Sequence, residues 1–133
     1  MARLRHFAIV VRDLEKAAAF YESVFDLKRV GQEVLDFASA IYLSDGTINL
    51  ALLNYVGKRG SGLDNAREFV GAHHFGFQVD DIAATQQKIE AAGGTFFFDL
   101  GNDQEKENFE RKFKDPDGVI FDISKKGWQG TRR

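Results

Sequence analysis

The chain contains a degenerate copy of itself. Residues 6–28 (HFAIVVRDLEKAAAFYESVFDLK) align with residues 74–96 (HFGFQVDDIAATQQKIEAAGGTF) at a fixed offset of 68, with five identities in 23 positions. The identical pairs are His6/His74, Phe7/Phe75, Val11/Val79, Asp13/Asp81 and Glu22/Glu90. Both segments follow one order: a β-rich run, an Asp suited to cap a helix, then apolar residues at helical spacing. In the first, Leu14, Ala17, Ala18, Tyr21, Val24 and Phe25 form the stripe. In the second, Ile82, Ile89 and Ala92 continue it until Gly93-Gly94 ends the helix. A chain built this way folds as two related units, not as one irregular domain.

Each helix is followed by three strand candidates: 28–35, 39–44 and 47–53 in the first half, then 95–98, 109–114 and 119–124 in the second. Asp45-Gly46 marks a tight turn, and Asp115-Pro116-Asp117-Gly118 places the only proline of the chain at the second turn position. Both halves therefore read βαβββ, an α+β arrangement within a single domain spanning 1–133. The first unit occupies 5–53 and the second 73–125. Residues 54–72, with Gly57, Gly60, Gly62 and Gly71, read as a flexible connector. Residues 126–133 read as a basic, loosely held tail, with Trp128 as a candidate dimer contact. The charged run from Asp103 to Glu110 reads as a solvated loop.

Side chains alternate across a strand. In each of the four best strands, one side is bulky and apolar: Phe7, Ile9 and Val11; Ile48, Leu50 and Leu52; Phe75, Phe77 and Val79; Val119, Phe121 and Ile123. Those sides carry the helices. The opposite sides hold His6, Asn49, His74 and Asp122 with small neighbours Ala8, Ala51 and Gly76, which suits a cavity lining better than a packed core. Two imidazoles, a carboxamide and a carboxylate converging in a cavity point to a metal site. His73 falls on the other parity and reads as structural or surface.

At this point the sequence resembles the vicinal oxygen chelate superfamily, which includes glyoxalase I, bleomycin-resistance proteins and extradiol dioxygenases. HFAIVVRDLEKAAAFY, HFGFQVDDI and DPDGVIFDI carry the resemblance, which covers about residues 5–125. It implies a curled mixed β-sheet around a metal and substrate cleft, with helices on the outer face. It also implies metal ligands on the first and last strands of each unit. By position these are His6, His74 and Asp122, with Asp where the family usually has Glu. The remaining position falls at Asn49, a poor ligand, which instead orients a ligand or the substrate, as do Gln78, Tyr42 and Tyr55.

Two His and one carboxylate form the facial triad of non-haem Fe(II) oxygenases. The alternation shows no second carboxylate on the concave strands to act as a base, so a dioxygenase-like site with Fe2+ or Mn2+ is favoured. A glyoxalase- or isomerase-type lyase using the metal as Lewis acid is the alternative, and Ni2+ and Zn2+ are the other candidate ions. A metal-free drug-binding protein is a third reading. The resemblance implies a small oxygen-rich substrate and a homodimer. Net charge is −2, so there is no electrostatic case for nucleic acid. No run approaches the ~20 apolar residues of a membrane span, and the cytoplasm is the expected location. The absence of cysteine restricts any metal to nitrogen and oxygen ligands.

Overall fold

A computed structural model describes residues 1–131. The elements run β1 (Arg3–Val10), α1 (Leu14–Phe25), β2 (Lys28–Val34), β3 (Ala38–Ser44), β4 (Asn49–Tyr55), β5 (Gly71–Gln78), α2 (Ile82–Ala91), β6 (Thr95–Asp99), β7 (Arg111–Lys114) and β8 (Ile120–Ser124). This is the expected βαβββ order, twice. Both capping aspartates act as read from the sequence. Asp13 accepts from Lys16 N at 3.0 Å and Asp81 from Ala84 N at 2.9 Å, which satisfies one free N–H of each first turn. Among the described residues no helix is long and apolar enough to cross a membrane.

The eight strands form one mixed sheet in the order β2-β3-β4-β1-β5-β8-β7-β6. The two units meet where β1 and β5 pair antiparallel, with Phe7 opposite Phe75, His6 opposite Gly76 and Ala8 opposite His74. Exchanging the halves at the offset of 68 maps this register onto itself. The repeat thus becomes a local two-fold axis through the Phe7/Phe75 pair, and it places His6 and His74 diagonally across one seam.

The same register builds a transverse row. Asn49 on β4 is level with His6 on β1, His6 with Gly76 on β5, Gly76 with Asp122 on β8, and Asp122 with Lys112 on β7. Side chains level on adjacent strands share a face. The row therefore lines up a carboxamide, an imidazole, a gap, a carboxylate and an ammonium on the concave side.

The convex side carries the helices as expected. Ala18 of α1 packs with Ile41, Leu43 and Leu52, and Ile82 of α2 with Phe113 and Ile123. The concave side differs from the expectation of a mainly small or polar lining. Its first half is itself a core of Ala8, Phe37, Ala40, Tyr42, Ala51, Leu53 and Tyr55. Curling folds that half over on itself, so its aromatic side chains find apolar partners without a helix.

The connector and tail also differ from expectation. Ser61 and Ala66 of the connector are buried; Ser61 Oγ donates to Gly57 O at 2.7 Å and accepts from Leu63 N at 3.0 Å. The tail crosses the concave row instead of hanging free, although its last two residues lie outside the described residues. Gln129 O accepts from Asn49 Nδ2 at 2.9 Å, and Ser44 Oγ donates to Gly130 O at 2.6 Å. Trp128 is fully buried within its own chain and stacks on His6 with ring centroids 4.6 Å apart, so it is no dimer contact.

Trp128 fits only because position 76 has no side chain. A Cβ there would lie 2.8 Å from the indole and 3.2 Å from His6 Cβ. Gly76→Ala is therefore expected to cost about 1–3 kcal/mol through overpacking. Urea denaturation should show this, with a red-shifted Trp128 emission as the indole is pushed toward water.

Candidate metal centre

His6, His74, Glu110 and Asp122 each bring one donor atom to a common point, all within 4.8 Å of one another. Three of these are the residues expected from strand alternation. Glu110 is the fourth, immediately before β7. His6, His74 and Asp122 are buried, and Asp122 is inaccessible to solvent.

The hydrogen bonds around the two imidazoles determine which ring atoms face inward. Asn49 Nδ2 is committed to Gln129 O, which turns Asn49 Oδ1 toward His6 Nδ1 at 2.9 Å. An amide oxygen only accepts, so His6 carries a proton on Nδ1. With Nδ1 so committed, Nε2 is the ring nitrogen that His6 turns toward the cluster. A longer relay acts on the second ring. Ser61 O lies 2.8 Å from His73 Nε2 and must receive a proton from it. Burial, partly countered by the bond to Ser61, lowers the pKa of His73, so this ring is neutral and its Nδ1 is an acceptor. His74 Nδ1, 2.7 Å away, donates to that atom. Burial first and then the Lys112 ammonium hold His74 well below the ordinary imidazole range. Neutral His74 therefore presents a bare Nε2, which accepts from Lys112.

The result is an electron-rich knot. The two Nε2 atoms lie 3.3 Å apart. Asp122 Oδ2 lies 3.2 Å from His74 Nε2 and 3.5 Å from His6 Nε2, and it is buried without a hydrogen-bond partner. Glu110 Oε1 lies 3.5 Å from His6 Nε2. Lone pairs held this close repel unless a cation lies among them. Donors 3.2 to 3.5 Å apart can share one first-row divalent ion, since each metal–donor contact is about 2.1 Å. The orphaned Asp122 oxygen, the inward lone pairs and these spacings fit a divalent ion.

Lys112 lies against the knot. Its Nζ contacts Asp122 Oδ1 at 2.8 Å, Glu110 Oε2 at 3.0 Å and His74 Nε2 at 3.2 Å. Burial disfavours this ammonium, but Asp122 and Glu110 more than offset that penalty and raise its pKa. Trp128 Nε1 donates to Glu110 Oε1 at 2.7 Å and so aims the carboxylate at His6.

A cavity of about 50 Å³ opens beside the cluster, room for a few water-sized groups. Its lining includes His6, His74, Glu33, Glu110, Lys112, Tyr42 and Tyr55. Tyr42 donates to Glu33 Oε1 at 2.7 Å, and burial first, then nearby carboxylates, raises its phenol pKa. Tyr55 lines the wall with a pKa also raised by burial. Asn49 adjoins His6 and is spent on orienting it. Gln78 is not brought to the site. Its amide donates to Lys125 O at 3.1 Å, and it lines a separate hollow with Met1, Arg3 and Asp80.

Glu33 and Glu110 correct the expectation that the concave side lacks a carboxylate besides Asp122. Glu110 and Lys112 share the inward parity of the 109–114 strand candidate, a signal masked by reading the run up to Glu110 as solvated. His73 and Trp128 could not be found this way, because one acts along its own strand and the other reaches the site through the path of the tail.

The neutral pair His73 and His74 has a consequence for pH. Both imidazoles have folded pKa values below the ordinary value of 6.5. The unfolded chain binds more protons than the folded one as pH falls past that value, so metal-free stability should drop between pH 7 and 5.5. Thermal melts across that range should show the drop, and His73→Phe should reduce it. The same variant removes the acceptor that holds His74 and should weaken divalent-metal affinity about 10- to 100-fold by calorimetry.

Comparison with known proteins agrees with the fold. Human mitochondrial methylmalonyl-CoA epimerase is 32% identical over 99 residues, 68% of this chain and 53% of that protein. The chain thus spans about half the length of that relative. An ethylmalonyl-CoA/methylmalonyl-CoA epimerase of Cereibacter sphaeroides is 32% identical over 98 residues, covering 70% and 72% of the two chains. Among solved structures, a hypothetical protein of Bacillus halodurans superposes with a TM-score of 0.74 at 19% identity, covering 96% of each chain. A methylmalonyl-CoA epimerase in complex with methylmalonyl-CoA and NH4+ gives 0.72 at 20% identity over 99% of each chain. The family model of the Glyoxalase/Bleomycin resistance protein/Dioxygenase superfamily matches residues 3–123, and the chain belongs to that superfamily.

Proposed function

We propose that this protein is a metal-dependent epimerase that moves the α-proton of a small acyl thioester of the alkylmalonyl-CoA type. The observation that carries this reading is Glu33, a carboxylate that lines the cavity but stands outside the His6/His74/Glu110/Asp122 cluster. The preference for a dioxygenase rested on the lack of such a base. The relatives that are epimerases support the same choice.

A divalent ion held by His6, His74, Asp122 and Glu110 would supply polarisation of the thioester carbonyl and so acidify the neighbouring C–H. The mixed nitrogen and oxygen donor set suits Mn2+, Co2+, Ni2+ or Zn2+ and does not single out Fe2+. The protein residues do the proton work. Glu33 stands on β2, at one edge of the sheet, and Tyr42 holds its Oε1. The other carboxylate oxygen takes the α-proton. Glu110 and Lys112 stand on the far wall, next to and on β7. Lys112 Nζ offers the N–H that returns a proton to the opposite face of the planar intermediate. Proton exchange with water resets Glu33 and Lys112. The apolar residues Leu53, Phe98 and Leu100 exclude bulk water from the reacting carbon.

Glu33→Gln is expected to slow α-proton exchange with deuterated water on methylmalonyl-CoA by about 10²- to 10⁴-fold. Divalent-metal affinity should be unchanged in this variant, since Glu33 is not a donor. Exchange monitored by NMR and affinity by calorimetry test the two parts. Full exchange by Glu33→Gln removes the base assignment. Oxygen consumption on catechols by the wild type, without thioester exchange, restores the dioxygenase reading.

A further inference from the structure

We infer that Lys112 is a built-in counter-cation of the cluster, and that a divalent ion enters only by displacing its ammonium. The inference rests on the metal-centre reading above and adds a competitor to it. Lys112 Nζ contacts three of the four donor residues at once: Asp122 Oδ1 at 2.8 Å, Glu110 Oε2 at 3.0 Å and His74 Nε2 at 3.2 Å.

The contact with His74 is the decisive one. The relay from Ser61 through His73 leaves His74 Nε2 with one lone pair directed at the cluster. That lone pair accepts from Lys112 or binds a metal, but not both. Occupation of His74 Nε2 by a divalent ion also brings a second positive charge close to the ammonium. Repulsion between unlike occupants of one site is strong in a buried setting, where screening is weak.

The carboxylates are arranged differently. Lys112 uses Asp122 Oδ1 and Glu110 Oε2, whereas Asp122 Oδ2 and Glu110 Oε1 face the imidazoles. Each carboxylate thus has one oxygen toward Lys112 and one toward the imidazoles. The ammonium can keep its outer contacts while it gives up His74, and the free space next to it is the cavity that it already lines. Register makes Lys112 an obligatory neighbour, because it is directly opposite Asp122 on the adjacent strand. The protein therefore has two states, one in which its own lysine offsets one of the two carboxylate charges and one in which an added divalent ion offsets both. In the second state the displaced ammonium faces the substrate space.

Removing the ammonium should separate these states. Zn2+ and Mn2+ binding is measured by calorimetry for the wild type, Lys112→Met and Lys112→Arg, with thermal melts in chelator and in metal. Lys112→Met is expected to bind at least tenfold more tightly than the wild type. Its melting temperature should fall in chelator, where Asp122 and Glu110 lose their counter-charge. It should then rise on adding metal by more than the wild type does. Lys112→Arg should retain weak binding. If Lys112→Met is unfolded in chelator, its folding on metal addition supports displacement, and failure to fold overturns it. Equal or weaker affinity in Lys112→Met overturns the inference alone and leaves the metal centre standing. No binding by either protein overturns both.

Discussion

The structure depends on a local electrostatic demand at the seam between β1 and β5. Two imidazole Nε2 atoms 3.3 Å apart, with a partnerless carboxylate oxygen 3.2 Å from one of them, cannot be stable without positive charge. Apolar burial alone would exclude such a cluster, since unpaired buried polar groups are costly. Its persistence is explained by the hydrogen bonds around it. Asn49 and Gln129 fix one ring, and His73 and Ser61 fix the other. Both rings are held with Nε2 turned toward the point where a cation would sit.

Much of this geometry was legible in the sequence because it follows from periodicity and repetition. The offset of 68 implies matching first strands, and alternation then assigns His6, His74 and Asp122 to small or polar sides. The antiparallel register around Phe7 and Phe75 brings the His6 and His74 sides together. Periodicity fails where a residue reaches the site by a route other than its own strand. Trp128 arrives because the tail folds back across the row, and only the missing side chain at Gly76 makes room for it. Glu33 is at the edge of the sheet and approaches the cluster only through curling. Ser61 is drawn in from a glycine-rich segment that composition alone marks as a linker. Glu110 and Lys112 were readable by the same alternation, but the charges around them suggested a solvated surface. A run of charges is a solvated face only if no buried opposite charge lies on the neighbouring strand, and Asp122 does.

The departures from the family pattern account for one another. The resemblance places a metal donor at position 49, where Asn stands. In the structure Asn49 Oδ1 is already engaged by His6 Nδ1, so it orients that imidazole. Glu110 of the second unit is the further carboxylate that the structure brings beside His6, His74 and Asp122. Glu110 lies just before β7 and not within it, so the strand ladder alone does not fix its aim. Trp128 fixes it through its indole N–H. Trp128 in turn requires Gly76, which breaks the side-chain equivalence with Ala8 at the matching position of the first unit. The asymmetry of the two halves is therefore one linked set. Asn49 and Glu110 are both held by the tail, through Gln129 and Trp128, and Trp128 requires a glycine on the symmetry seam. The second carboxylate beside Asp122 then makes a buried Lys112 tolerable, because two negative charges outweigh the desolvation of one ammonium.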